Sequence, residues 1–177
     1  MKNKKLQKLI LSALFLALSY LLPFLTGQIP EIGAMLCPLH IPVLLCGFVC
    51  GPVWGATVGL IAPIMRSFLT GGFPPLFPTA VCMAFELAAY GLFSGLLHRI
   101  LPRKKPFIYC SLLIAMVAGR IIWGISMAVI LGINGGDFTF AAFIAGAVTN
   151  AVPGILLQLL LIPPAVILLE KTKMNLN

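Results

Sequence analysis

Apolar residues run along this chain in long blocks, and the polar positions fall between the blocks rather than alternating with them. Six hydrophobic segments can be drawn, at residues 6–25, 38–51, 52–69, 77–101, 107–132 and 138–169. An α-helix needs ~20 apolar residues to cross the hydrocarbon core of a bilayer. The pattern therefore predicts an all-α integral membrane protein, a six-helix transmembrane bundle in which residues 1–177 form one domain. Gly51-Pro52 divides the second block from the third, and the stretches 70–75 and 134–137 are rich in turn formers. The second block is short. At ~1.5 Å per residue it reaches only ~20 Å, so it is expected to share its crossing with a re-entrant or unwound stretch around Cys37-Pro38.

Composition removes the soluble alternatives. The 177 residues are 60% hydrophobic and 9% charged, with a mean hydropathy of +1.10, against roughly 45–50% apolar and ~25% charged in a soluble domain. So few charges cannot cover the surface of such a particle, and most of it must face lipid. The opening MKNKKLQKLILSALFLALSYLL has a basic start and an apolar run, but the run is long for a signal peptide and no clear cleavage site follows. It is expected to be the first retained span.

The formal net charge of +8 marks topology, not a nucleic-acid surface, because the basic residues form no stripe on a soluble face. With an even number of spans, both termini and the connection HRILPRKKP share one side. That side collects Lys2, Lys4, Lys5, Lys8, Arg99, Arg103, Lys104, Lys105, Lys171 and Lys173, and it is expected to be cytoplasmic. The other side carries Glu31, Asp137 and the uncharged 70–76 loop. Five cysteines, Cys37, Cys46, Cys50, Cys82 and Cys110, lie in apolar stretches without ligand spacing and read as small hydrophobes, so no metal and no cofactor is expected. Glycines at 47, 51, 55 and 59, the pair Gly91 and Gly95, and the set Ala142, Gly146 and Asn150 recur every four residues, a spacing for close helix contact within the monomer. The Pro52 break argues against one continuous stripe.

Candidate chemistry is confined to a few positions. Arg66, Glu86 and Arg120 are the charged residues inside spans, and each would cost ~2.5–3.5 kcal/mol or more at mid-membrane unless paired or facing a wet cavity. Counted from the outer ends, Glu86, Arg120 and Asn150 share a depth of ~14–18 Å, while Arg66 lies nearer the outer boundary as an access or gate residue. Glu86 can neutralise one arginine, and the surplus cation then favours an anionic or polar neutral ligand, since guanidinium binds a carboxylate through two parallel hydrogen bonds. Trp123 lies one turn outward of Arg120 and Tyr90 one turn inward of Glu86, so both join the candidate site. Gln158 and Ser94 read as packing residues, and His40 and His98 as lone histidines without chemistry. No GxxxxGK[ST], HExxH or GxSxG is present, so the chain is not expected to be an enzyme, and active transport would draw its energy from a partner or an ion gradient.

These residues resemble the substrate-binding S components of energy-coupling factor (ECF) transporters, the vitamin importers of bacteria. The resemblance covers nearly the whole chain: its length, six spans, basic termini, and a long first outer loop before a short second helix. Ala13-Leu14-Phe15-Leu16-Ala17 matches the AxxxA motif through which S components contact the transmembrane coupling subunit. The stretch from Pro38 to Pro52, with Ile41-Pro42 followed by an apolar run to Gly51-Pro52, is similar to the loop-to-second-helix region. Leu39-His40 stands where riboflavin-type members often carry an acidic residue before that Ile-Pro. The resemblance implies a pocket near the extracellular face, docking through Ala13 and Ala17 on a coupling subunit with two ATPases, residence in the bacterial cell membrane, and toppling during transport. The expected substrate is a carboxylate-bearing vitamin, pantothenate first, with riboflavin, folate, biotin, nicotinate and a queuosine precursor open and thiamine disfavoured by charge. Glu86, Arg120, Trp123, Asn150 and Tyr90 are expected to bind it, with Arg66 at the gate. A stand-alone secondary permease and a purely structural membrane protein are the rival readings.

Overall fold

Glycine and proline set most of the helix ends. A computed structural model describes residues 3–26, 35–102, 104–149, 151–171 and 177. Its helices are α1 (Lys4–Leu21), α2 (His40–Cys50), α3 (Pro52–Leu69), α4 (Val81–Ile100), α5 (Lys105–Ile133), α6 (Phe140–Ile144) and α7 (Val152–Lys171). Gly51 ends α2 with φ 102°, a left-handed conformation that a side chain would oppose. Pro52 then opens α3 at a position where its missing N–H costs nothing. After α3 the chain turns through Gly71 and Gly72 at φ 69° and 95°, and α4 stops just before Pro102.

Five apolar helical stretches are long enough to cross a membrane: Lys4–Phe24, Pro52–Leu69, Leu76–Ile100, Lys105–Ile133 and Phe140–Lys171. The shorter His40–Cys50 is the sixth rod. Among the described residues there is no strand, and the six-rod, all-helical architecture read from the sequence stands. The third segment matches its expected bounds, and the others shift by a few residues. The second is an 11-residue helix, and the expected unwound stretch is present: Cys37 has φ 47° and a turn at Pro38-Leu39 precedes α2.

Helix α2 is short because it faces protein. Every residue of α2 except Ile41 and Leu45 is buried, enclosed by α1, α3, α4 and α7. A helix surrounded in this way need not match the hydrocarbon thickness. In contrast, α5 shows lipid a stripe at every fourth position, Leu113, Val117, Ile121, Ile125, Val129 and Ile133, all exposed, while Leu112, Ala115 and Met116 face the core. Helix α4 sits centrally, against α2, α3 and α5.

The glycine spacing is used inside the chain. A Cβ on Gly55 would lie 2.6 Å from the Gly91 carbonyl oxygen, and one on Gly59 would lie 2.2 Å from that of Leu87. Gly47 and Gly95 are similarly close across α2 and α4. Two helices, α2 and α3, thus press separately on α4, and the break at Gly51 means no single stripe runs through both.

The last segment, Phe140–Lys171, keeps its helical course but not a uniform coil. The five-residue α6 passes into a wider π-helical turn, Ala145–Thr149, before α7 begins. Pro153 fits this irregularity, since it cannot donate to the carbonyl four residues back. At the far end, His98 Nε2 lies 3.2 Å from Glu170 Oε1, Asn177 Nδ2 donates to the Gly95 carbonyl at 2.9 Å, and Gly51 lies beside Asn177 and Lys8. The start of α1, the end of α4 and the end of α7 therefore share one face, the one with the lysines and arginines.

Candidate functional site

Non-helical backbone at membrane depth is tolerated only where protein or a cavity satisfies it. The bend at Cys37–Leu39 meets this condition, and it delivers His40, the first residue of α2, to the centre of the bundle. There the ring of His40 lies 5.2 Å from that of Tyr90, centroid to centroid. His40 Nε2 is 3.6 Å from Glu86 Oε1, beyond hydrogen-bond length.

Glu86 is 1% exposed. Its Oε1 accepts a hydrogen bond from the Tyr90 hydroxyl at 3.0 Å, one helical turn along α4, and pairs with Arg120 Nη1 from α5, also at 3.0 Å. Arg120 Nη2 reaches Cys37 Sγ at 3.7 Å. Four elements thus converge on one carboxylate: the bend, α2, α4 and α5.

Arg66, on the last turn of α3, stands apart from this knot. It is buried, its Nε has no hydrogen-bond partner among the described residues, and its guanidinium carbon sits 5.8 Å from the centroid of the Phe73 ring, a cation–π distance. Thr70 caps the same helix end by donating its hydroxyl to the Arg66 carbonyl at 2.7 Å.

Between these groups lies a cavity of about 420 Å³, within the range of small-molecule sites. Its walls include Cys37, His40, Arg66, Glu86, Arg120 and Trp123, with Phe73, Pro74 and Pro75 of the α3–α4 connection and Met83 of α4. Trp123 is braced by an edge contact to Phe138 at 5.8 Å and a stacked contact to Phe143 at 6.3 Å. Gly146 lies close against it: a Cβ there would be 2.6 Å from the far edge of the indole, so any side chain would make the ring shift. Two guanidinium groups and one carboxylate leave these walls with one positive charge over, among the described residues.

Of the residues singled out from sequence, Glu86, Arg120, Trp123 and Arg66 meet at this cavity. Tyr90 does not line it; at 1% exposure it packs behind the wall and holds Glu86. Asn150 falls outside the described residues. His40 is a correction: read as a lone histidine, it lines the cavity and faces Glu86. Cys37, read as a small hydrophobe, contacts Arg120. The signal that could have found both is the unwound stretch itself, since irregular backbone deep in a membrane marks a cavity. His98 is not lone either, given its contact with Glu170. Ala13 and Ala17 are exposed on the outer face of α1, opposite Ser12, Phe15 and Ser19, which are buried. Among the described residues no group of three or more potential metal ligands exists.

A family model described as "ECF transporter, substrate-specific component" matches residues 7–166, most of the chain. No curated protein and no solved structure matches.

Proposed function

The chain belongs to the ECF transporter substrate-specific component family, whose members are substrate-specific subunits of membrane importers, and from that premise we propose that its cavity captures a vitamin carrying a carboxylate, with pantothenate the first candidate. The observation that carries this reading is a cavity of about 420 Å³ with Arg66 and Arg120 in its walls and Glu86 as the sole counter-charge among the described residues that line it. A cation inside a membrane costs ~2.5–3.5 kcal/mol unless paired, so an arriving anion relieves a penalty the empty site carries. Burial in a largely apolar pocket strengthens the charge-assisted bond it would make.

In this reading Trp123 forms an aromatic wall, Asn150 adds an amide, and Tyr90 fixes Glu86 so that Arg120 stays in place. The basic face lies in the cytoplasm of a bacterial cell, with both termini on it, and the cavity opens outward beneath the Phe73–Pro75 connection. Ala13 and Ala17, exposed and one turn apart, supply a flat strip where a helix of the coupling subunit can approach closely. Two ATPases bound to that subunit supply the energy.

The test is a thermal-shift screen of water-soluble vitamins on the purified protein, followed by calorimetric titration and by flux measurements in liposomes holding the chain alone. A carboxylate vitamin at 100 times its dissociation constant should stabilise the fold by ~2.7 kcal/mol, with no flux. Flux without partners would identify a secondary permease instead. Stabilisation by thiamine alone would refute the charge argument.

A further inference from the structure

The two arginines of the cavity are not equivalent. Arg120 has both terminal nitrogens occupied, Nη1 by Glu86 at 3.0 Å and Nη2 by Cys37 Sγ at 3.7 Å. Arg66 has no ion pair and no hydrogen bond from its guanidinium among the described residues; its guanidinium carbon lies 5.8 Å from the centroid of the Phe73 ring, and the residue is only 8% exposed. The surplus positive charge of the cavity is therefore localised at Arg66, beneath the α3–α4 connection. On the other side His40, 3% exposed, lines the same cavity, and neither of its ring nitrogens has a hydrogen-bond partner among the described residues. Buried polar atoms in this state are uncommon in native proteins and call for a partner.

We propose that Arg66, not Arg120, reads the charge of the substrate, and that the substrate is a monoanion whose negative group meets Arg66 while a separate, neutral hydrogen-bonding group meets His40. The proposal rests on the cavity being the substrate site. The charge count selects the class. A monoanion brings the walls and their guest to neutrality, whereas a neutral guest leaves one positive charge sealed in the membrane, a dianion leaves one negative charge, and a cation leaves two positive charges. Nε2 of His40 stands 3.6 Å from Glu86 Oε1 and Nδ1 has no partner among the described residues, so His40 discriminates among monoanions: a wholly apolar tail would leave Nδ1 unpaired.

Cys37 offers a reporter that needs no knowledge of the substrate. It lines the cavity, Cys46, Cys50 and Cys82 are fully buried, and the exposed Cys110 is removed by Cys110→Ala. In that background the rate of Cys37 modification is measured with two methanethiosulfonate reagents of similar size, sulfonatoethyl (anionic) and trimethylammonioethyl (cationic), relative to their rates on 2-mercaptoethanol. The anionic reagent should be favoured roughly tenfold or more. Arg66→Gln should abolish the preference and Arg66→Lys should keep it. The double variant Glu86→Gln/Arg120→Gln should also keep it, because it removes one charge of each sign. No preference in the starting protein, or a preference that survives Arg66→Gln, overturns the proposal.

The substrate class is tested with matched pairs: pantothenate against pantothenol, biotin against biotin amide, and nicotinate against nicotinamide. The acid that binds should do so about 10- to 100-fold more tightly than its uncharged counterpart, with the difference lost in Arg66→Gln, while His40→Gln weakens both members of the pair. Equal affinity for acid and uncharged counterpart overturns it. If the bound adduct on Cys37 leaves acid binding intact, the cavity is not the substrate site and the functional reading fails with the substrate class, although the localisation of charge at Arg66 stands on its own ratio.

Discussion

Removing Arg120 should damage the protein in a way that removing the whole ion pair does not. Glu86 is 1% exposed and draws on Arg120 at 3.0 Å and on the Tyr90 hydroxyl at 3.0 Å. At an effective dielectric constant of ~20, two unit charges at that distance attract by ~5 kcal/mol before desolvation is subtracted. Desolvation removes most of that gain, so the pair as a whole contributes little net stability. Breaking it is a different perturbation. Arg120→Gln leaves a buried carboxylate with the Tyr90 hydroxyl and, at 3.6 Å, the His40 ring, and the expected cost is ~3–5 kcal/mol. Glu86→Gln/Arg120→Gln, which retains volume and hydrogen-bonding capacity, should recover most of this. The assay is a double-mutant cycle on unfolding in mixed micelles, with the four proteins compared at one temperature. A coupling energy of ~1.5 kcal/mol or more is expected. If the double variant is destabilised by the sum of the two single variants, the carboxylate and guanidinium do not depend on each other, and the account of this knot is wrong.

Gly91→Leu should cost ~3 kcal/mol, the upper part of the overpacking range, because the new Cβ would lie 2.2 Å from the backbone of Gly55, which cannot yield as a side chain would. Gly132→Ala, where a Cβ meets nothing within 4 Å, is the control and should be neutral or stabilising by up to ~1 kcal/mol in the same unfolding assay. Trp123→Ala should weaken binding of the preferred acid by ~0.5–1.5 kcal/mol in calorimetry, with Trp123→Phe retaining most of the affinity; unchanged affinity in the alanine variant would remove the aromatic wall from the site. Ala13→Trp with Ala17→Trp should leave binding by purified protein intact and stop uptake in cells, and normal uptake would move the docking surface elsewhere.

Fold and site were legible in the sequence to different depths, for physical reasons. Long apolar blocks declare spans because lipid demands apolar surface, and the block 52–69 has the same ends as the helix Pro52–Leu69. The widened turn at Ala145–Thr149 is invisible in the sequence, because the residues on both sides are equally apolar and a hydropathy pattern does not register a change of helical coil; Pro153 is the local hint of it. In the site, Glu86, Arg66 and Arg120 stood out because charge is expensive in a membrane. Which arginine pairs with Glu86 depends on how α3 and α5 are placed around α4, and no spacing along the chain records that. His40 does not stand out in the sequence, because one histidine beside apolar residues carries no pattern. Its role comes from the bend at Cys37–Leu39, which turns the first residue of α2 toward Glu86.

Small residues at a spacing of four have two opposite uses in this molecule, and the side chain itself tells them apart. At Gly55, Gly59 and Gly91 the neighbouring backbone comes closer than any Cβ permits, so glycine is required and the contact is already filled within the chain. Ala13 and Ala17 keep their Cβ atoms and are exposed, with Leu9, Ile10, Leu14 and Leu21 also exposed on α1. A helix approaching that strip would meet methyl groups at ordinary van der Waals distance, a contact that can form and dissolve without rebuilding either backbone. Closure through glycine suits a permanent bundle, while a shallow alanine strip suits a partner that comes and goes. On its opposite side α1 presents Ser12, Phe15 and Ser19 to the interior, where Cys46 of α2 meets Ser12 at 3.7 Å. The helix proposed to dock the coupling subunit therefore packs directly on the helix whose first residue, His40, lines the cavity, so a partner that displaces α1 acts on α2 through a single layer of side chains.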